Sequence, residues 1–428
     1  MTMGRKVGYR NAGGAASGAG PAAAARIRVA GRGLSGAGMD NRWAILALLF
    51  AVRLTLAYQF QSVAAVSPLL IDAWAIDYAE LGLLVSLYML PGVVIALPGG
   101  MLGGRFGDRA TVVAGLALMA LGGAVTGLAE TYAVAVVGRM VAGIGGVLLN
   151  VLMTKMVMDW FAGREIVAAL AVFITSWPGG IALALYTSAG LAELVSLPAV
   201  FFLTSALSLL GLAGVWKLYR LPPGRRDGGR LTATARLLPR EIWLTTLVTL
   251  VWMSYSMLYL LLMSFAPALL ASRGLSSVEA GDLTGVASVC FAISTFVSGF
   301  FADWLKRPAL LVLVSLSFMI VAFAALPSFA TAAWIFAAVG VVGGMPQGVL
   351  KSLPVETLRP RARAAGMGLH FTIHYAGFAG VPPVVGWVAD LAGGVEAAMY
   401  CGAAFGALAL GLYFFSRAEL RRLPLPPT

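Results

Sequence analysis

Gly99-Gly-Met-Leu-Gly-Gly-Arg-Phe-Gly-Asp-Arg109 is a short, glycine-rich, charged knot between two long apolar runs. An Arg or Asp at the centre of a bilayer costs roughly 2.5–3.5 kcal/mol on insertion scales. The knot therefore belongs at a membrane surface, and the runs on either side of it are read as membrane-crossing helices.

The rest of the chain repeats that alternation. Of 428 residues, 60% are hydrophobic and 11% charged, against about 25% charged in a soluble domain. Twelve apolar spans follow one another, the first at 43–66 and the last at 396–416. Each is long enough to cross about 30 Å of hydrocarbon. The longest polar connection, 218–240, is rich in Arg, Pro and Gly and reads as a flexible linker. It divides a bundle at 40–217 from a bundle at 241–417, with a short tail at 418–428. Residues 1–39 are mostly Gly, Ala and Arg and are expected to be a disordered arm. The arm has no continuous apolar stretch of the secretory type. It either touches anionic lipid or precedes a natural start at Met39. Gly31-Arg-Gly-Leu-Ser-Gly36 matches a dinucleotide pattern, but without the strand and helix that give that pattern meaning.

The positions of the cations set the orientation. All but five of the 30 Lys and Arg residues fall on one side of the predicted spans. The exceptions are Arg53, Arg139, Lys155 and Lys351 inside spans and Arg273 on the other side. Positive loops stay in the cytoplasm, so both termini are expected there. The net charge of +12 is thereby explained without nucleic acid. Cys290 and Cys401 lie apart in apolar runs, and the chain has two histidines. That inventory points to no metal and no cofactor. Walker A, GxSxG and HExxH patterns are absent, which argues against an enzyme.

The order Gly100-x-Leu102-x-x-Arg105-x-Gly107-x-Arg109 resembles the cytoplasmic loop signature of the major facilitator superfamily. The acid usual before the first Arg is replaced by Gly104, leaving Asp108 as the loop's acid. An echo about 200 residues later, Gly299-Phe-Phe-Ala-Asp303-Trp-Leu-Lys-Arg307, keeps an acid. Gly138-Arg139-Met-Val-Ala-Gly143-Ile-Gly145-Gly146 resembles the family's fourth-helix motif. In overall character the chain is similar to the branch holding cyanate, nitrate and nitroimidazole permeases. The resemblance implies an all-α membrane protein with twelve transmembrane helices in two six-helix bundles. It further implies a monomeric secondary transporter of a bacterial inner membrane that works by alternating access. Gly100, Arg105, Gly107, Asp108, Arg109, Asp303 and Arg307 would then gate the cytoplasmic side. Arg139 and Gly143 would serve proton coupling or helix packing.

A substrate site needs polar groups at mid-depth. Arg53 lies about 15 Å into the first span at 1.5 Å per residue, and it shares a face with Gln61. His370 and His374 lie one turn apart in the eleventh span, and His374 matches Trp177 in the repeat. Pro178 beside Trp177 interrupts its helix. Tyr255 lies on an aromatic stripe with Trp252 and Tyr259. Gln347 stands in the tenth span four residues before Lys351, which reads as interfacial, as does Lys155. No Asp or Glu lies deep in a span. Unbalanced positive charge favours an anion. The expected substrate is a small organic or inorganic anion, with a proton carried on a histidine. A proton-driven exporter of drugs or metabolites is a second reading, and a non-transporting membrane sensor on the same fold is a third.

Overall fold

A computed structural model describes residues 42–95, 103, 105–161, 165–222, 237–329, 332–359 and 362–422. Helices account for nearly all of them, and no strand occurs among the described residues. The helices are α1 (Arg42–Ala65), α2 (Ser67–Trp74), α3 (Tyr78–Leu87), α4 (Asp108–Gly127), α5 (Tyr132–Trp160), α6 (Ile166–Leu194) and α7 (Leu197–Leu218). After the linker come α8 (Pro239–Ser272), α9 (Ser277–Leu305), α10 (Pro308–Ala325), α11 (Ala333–Gly344), α12 (Gln347–Glu356), α13 (Arg363–Leu391) and α14 (Glu396–Arg422).

Eleven described spans are long and apolar enough to cross a membrane. Two of them are broken helices. The span Tyr78–Ile95 runs through α3 and past Pro91, and the span Ala333–Pro354 joins α11 to α12 across Pro346. Proline supplies no N–H, so the helical ladder fails at such points. The 29-residue α13 completes the twelve crossings: it is long enough, but its two histidines and two prolines make it the least uniform. The crossings form two six-helix bundles, α1–α7 and α8–α14. Helices α1 and α14 put their outer ends on one face, called here the terminal face; the opposite one is the far face.

Within the first bundle, glycines bring helices together. A Cβ at Gly122 of α4 would overlap backbone atoms of Gly138 and Ala142 in α5, and one at Gly145 would overlap Gly115 O. Small residues permit such close backbone approach. Arg139 is 2% exposed in this packing. Its guanidinium donates to the carbonyls of Leu84 (3.1 Å), Gln59 (2.8 Å) and Phe60 (2.9 Å), and it stacks on Tyr88. It ties α5 to α1 and α3.

The two bundles meet toward the far face. Gln61 Nε2 donates to Met263 O at 2.7 Å, joining α1 to α8. Ser288 Oγ donates to Pro178 O at 2.8 Å, joining α9 to α6. At the end of α13, Asp390 receives the backbone N–H groups of Tyr78 (3.0 Å) and Ala79 (2.9 Å). Those are two of the four donors that a helix start leaves without intrahelical partners. The other two are held inside α3 by a capping box between Asp77 and Glu80. Gly82 lies against Pro382 O and Gly386 against Tyr78 O, each too close for any side chain.

At the terminal face, the ion pairs seen among the described residues each join residues of one bundle. They are Arg42–Glu165 (2.9 Å), Lys155–Asp108 (2.7 Å), Arg359–Glu241 (2.7 Å) and Arg417–Glu356 (2.6 Å). The hydrogen bonds to Glu241 raise the pKa of Arg359. The bundles therefore close on the far side, and a cavity lies between them on the terminal side of that seam.

Candidate functional site

The cavity has a volume of about 290 Å³, at the small end of the roughly 300–1,000 Å³ typical of ligand pockets. Helices α1, α5 and α6 form one wall and α8, α9, α12 and α13 the other. Its charged groups are Arg53 and Lys351, with His370 and His374 nearby. Among the described residues, no carboxylate lines it. Among the described residues, neither Arg53 nor Lys351 has a carboxylate partner.

Arg53 is placed by the proline in α6. Pro178 cannot donate to Ile174 O, and the guanidinium takes up the freed region: Nη1 donates to Phe173 O (2.9 Å) and Ile174 O (3.4 Å). Nη2 reaches Asn150 Oδ1 at 3.4 Å, whereas Nε has no partner. The cation lies 4.7 Å from the Phe173 ring centroid and 5.9 Å from that of Trp177. The carbonyls fix its place while leaving its charge unbalanced. Lys351 Nζ lies 5.4 Å from the Trp252 centroid. Each cation thus rests on an aromatic face, an attraction worth about 0.5–2 kcal/mol depending on desolvation.

Thr249 Oγ1 donates its single hydrogen to Thr245 O at 2.6 Å. Its contact with His370 Nδ1 at 3.0 Å therefore requires the ring nitrogen to donate. Neutral His370 is the Nδ1–H tautomer, and Nε2 keeps a lone pair. His374 stacks parallel to it with centroids 6.3 Å apart. Asn150 Nδ2 donates to Tyr375 OH at 2.9 Å, a polar link between the bundles at mid-depth.

Six expected site residues line this one cavity: Arg53, Trp177, Tyr255, Gln347, His370 and His374. Gln61 does not. It is 1% exposed and bonded to the opposite bundle. It shares a helical face with Arg53 but lies two turns nearer the far seam, where the halves touch. Lys351, read from sequence as interfacial, lines the cavity instead. The break at Pro346 restarts the helix at Gln347 and sets both polar side chains on the cavity wall. Asn150 and Tyr375 add to the polar lining, as do Ser256, Tyr259 and Thr295. The signal available for Lys351 was the lack of an acid within a turn of it.

The knot behaves as a local structure in this conformation. Asp108 opens α4 and binds Lys155 at 2.9 and 2.7 Å. Lys155 is thereby an ion-pair partner rather than a lone interfacial cation. Arg109 donates to Trp216 O, a carbonyl at the end of α7 in its own bundle, and stacks on the Trp216 ring. Arg105 is exposed beside Phe106. Gly107 has φ of 90°, a conformation that favours glycine. Gly143 lets α5 meet the Tyr88 backbone with no room for a Cβ. Arg307 is exposed before α10. Gly100 lies outside the described residues, as do the side chain of Asp303 and the arm 1–39.

A family model described as the Major Facilitator Superfamily matches residues 44–382. The chain belongs to that superfamily. This Major Facilitator Superfamily protein is 28% identical over 260 residues to the 2-nitroimidazole transporter of Escherichia coli (strain K12); the match covers 59% of this chain and 64% of the relative. It is 26% identical over 392 residues to the 3-(3-hydroxy-phenyl)propionate transporter of the same organism, covering 86% of this chain and 92% of the relative. Its fold matches a bacterial homologue of the human lysosomal transporter Spinster, crystallised inward-facing and unoccupied. That likeness has a TM-score of 0.74 at 17% identity and covers 91% of this chain and all of the other. The superfamily member described here is an integral membrane transporter of small solutes and not an enzyme.

Proposed function

We propose that the protein carries a small aromatic carboxylate across a bacterial inner membrane by alternating access. The observation that carries this reading is the cavity's composition: among the described residues, two cations, no acid and walls of aromatic rings. A carboxylate supplies the charge that Arg53 and Lys351 lack, through charge-assisted hydrogen bonds. A planar ring suits the faces of Trp177, Trp252, Tyr259 and Phe291. The relative that transports a hydroxyphenylpropionate supports the same class. A drug exporter for cations would set its substrate against two positive charges.

In this reading the terminal face is cytoplasmic and the described conformation is inward-facing. The bundles at 40–217 and 241–417 rock about the cavity as a monomer, with 218–240 as the tether. His370 carries a proton on Nε2, in a setting that also holds His374, Lys351, Arg53 and Tyr375. Entry of an anion offsets the repulsion that a third positive charge meets there. The glycine-rich knot gates the terminal side.

The test is thermal unfolding of purified protein in detergent with three matched ligands: 3-phenylpropionate, 3-phenylpropanol and 3-phenylpropylamine. A ligand at a hundred times its Kd stabilises the folded state by about 2.7 kcal/mol. The acid is expected to raise Tm, and Lys351→Gln to weaken that effect at least tenfold in concentration. Arg53→Gln should do the same, but it also strips donors from two carbonyls, so Lys351→Gln is the cleaner variant. Equal stabilisation by the amine or the alcohol would overturn the anionic reading.

A further inference from the structure

The polar atoms of the cavity wall are not equally committed. Tyr255 OH donates to Gly343 O at 2.5 Å, a carbonyl next to the break at Pro346. Tyr259 OH and Ser288 Oγ share a hydrogen bond at 2.7 Å, and the serine continues to Pro178 O. These hydroxyls are spent on structure. Gln347 Oε1 and Thr295 Oγ1 are not: both are buried and neither has a hydrogen-bond partner. Buried polar atoms are paired in the great majority of native structures, and an unpaired one calls for an explanation.

The two residues belong together by position. Gln347 is the first residue of α12, and Thr295 lies on α9, which packs against α12. Both line the cavity, in company with Tyr255, Tyr259 and Phe291. Tyr259 and Phe291 have ring centroids 4.3 Å apart. The charged end of the cavity is built differently, from Arg53, Lys351 and the rings of Trp177 and Trp252.

We infer that Gln347 and Thr295 form a second recognition point, specific for a hydroxyl group on the aromatic ring of the substrate. The inference rests on the aryl carboxylate reading and deepens it. A phenolic hydroxyl both donates and accepts. It donates to the Gln347 amide oxygen and accepts from the Thr295 hydroxyl, which satisfies both idle groups at once. Both oxygens are closed off from the cavity in the described conformation, so binding requires the Gln347 amide and the Thr295 hydroxyl to turn toward the ligand. An unsubstituted ring leaves both groups unpaired. Sites that hold buried hydrogen-bonding groups reject the ligand lacking the matching group, because desolvated polar atoms then have no partner.

The experiment compares dissociation constants for 3-phenylpropionate, its ortho, meta and para hydroxyl derivatives, and the matching methoxy compounds, which accept but do not donate. Each is measured by thermal shift on wild type, Gln347→Leu and Thr295→Val. At least one hydroxylated acid is expected to bind wild type about tenfold more tightly than the unsubstituted acid, a typical gain for one or two net hydrogen bonds. Gln347→Leu and the near-isosteric Thr295→Val should each bring that ratio close to one. The methoxy compounds should show no preference over the unsubstituted acid. A wild-type ratio near one, or a ratio that survives both variants, overturns the inference. If 3-phenylpropionate still binds in a Lys351-dependent way, only the hydroxyl subsite has failed. If no acid binds wild type, the anionic reading fails and takes the subsite with it.

Discussion

The far seam and the terminal face use similar chemistry for different ends. At the far seam the polar contacts cross between bundles: Gln61 to Met263 O, Ser288 to Pro178 O, and Asp390 to the start of α3. At the terminal face the ion pairs among the described residues bind neighbours in the same bundle. A contact within a bundle stabilises every conformation in which that bundle is intact. A contact between bundles stabilises only the conformation that makes it. A ligand or mutation shifts a two-state equilibrium only through a difference between the states. The seam therefore sets the balance between conformations, and the terminal pairs set the stability of the parts.

The strongest way to break this contrast is to obstruct the seam. Gly386→Leu forces a side chain into the Tyr78 carbonyl of the other bundle. Overpacking against backbone is expected to cost about 3 kcal/mol in the far-closed state alone. That amounts to a roughly hundredfold shift in population. Distances between spin labels at the exposed far-face positions Asp72 and Ala392 should lengthen, and transport should fall to background. An unchanged distance would mean that α13 slides past α3 without needing the glycine.

Gly107→Leu comes next in size and sits at the other face. Its φ of 90° makes any side chain strained by about 1–3 kcal/mol. The expected result is a lower Tm with no change in the label distance. Gly107→Leu cannot isolate a gating role, since the strain acts on the fold itself. Arg109→Ala can, because its partner Trp216 lies in the same bundle. Slower transport at unchanged Tm would make the knot a gate, and unchanged transport would leave it a local brace.

Asp390→Asn tests the seam more gently. Asp390 caps two donors across the interface, and losing a charged cap costs about 1–2 kcal/mol. The far-closed population should fall about tenfold. Asp77→Ala removes a cap from the same helix start but from within the same bundle. It should lower Tm by a few degrees and leave the label distance as it was.

The sequence carried the fold through a coarse signal, apolar length punctuated by charge, which survives errors of several residues. It carried part of the site by the same logic. Arg53, His370 and His374 stand out because polar groups in apolar runs are rare, and all three line the cavity. What it did not carry was which side of each helix meets the other bundle, and at what depth. Gln61 shares a face with Arg53, yet two turns of helix separate a cavity wall from a closed seam. Lys351 misled for a different reason. Its distance from the helix end implies an interfacial place, but the break at Pro346 resets the helix and exposes the lysine to the cavity. Arg139 is an arginine within a span like Arg53, yet it sits level with Gln59 and Phe60, nearer the far face, and ends with three carbonyl partners in a packed bundle. Partners drawn from two other helices are not encoded in the spacing of any one.

The smallest and cleanest test uses two glutamines on one helix. Gln59 and Gln61 are both buried in α1, two residues apart. Gln59 Nε2 donates to Met119 O at 2.9 Å and to Thr204 at 3.2 Å, both in its own bundle. Gln61 Nε2 donates to Met263 O at 2.7 Å in the other bundle. One neutral hydrogen bond contributes about 1 kcal/mol net, a factor of about five in population. Gln61→Leu should therefore shift the populations in the label-distance distribution about fivefold toward the far-open state with Tm almost unchanged. Gln59→Leu should lower Tm and leave the distance distribution alone. The pair controls for residue type, helix and burial; Gln59 has further partners in Thr204 and Tyr88, so its loss of Tm should exceed that of a single hydrogen bond. If both variants lower Tm and neither moves the distance, the seam is passive packing and the balance between conformations is set in the cavity by the two cations.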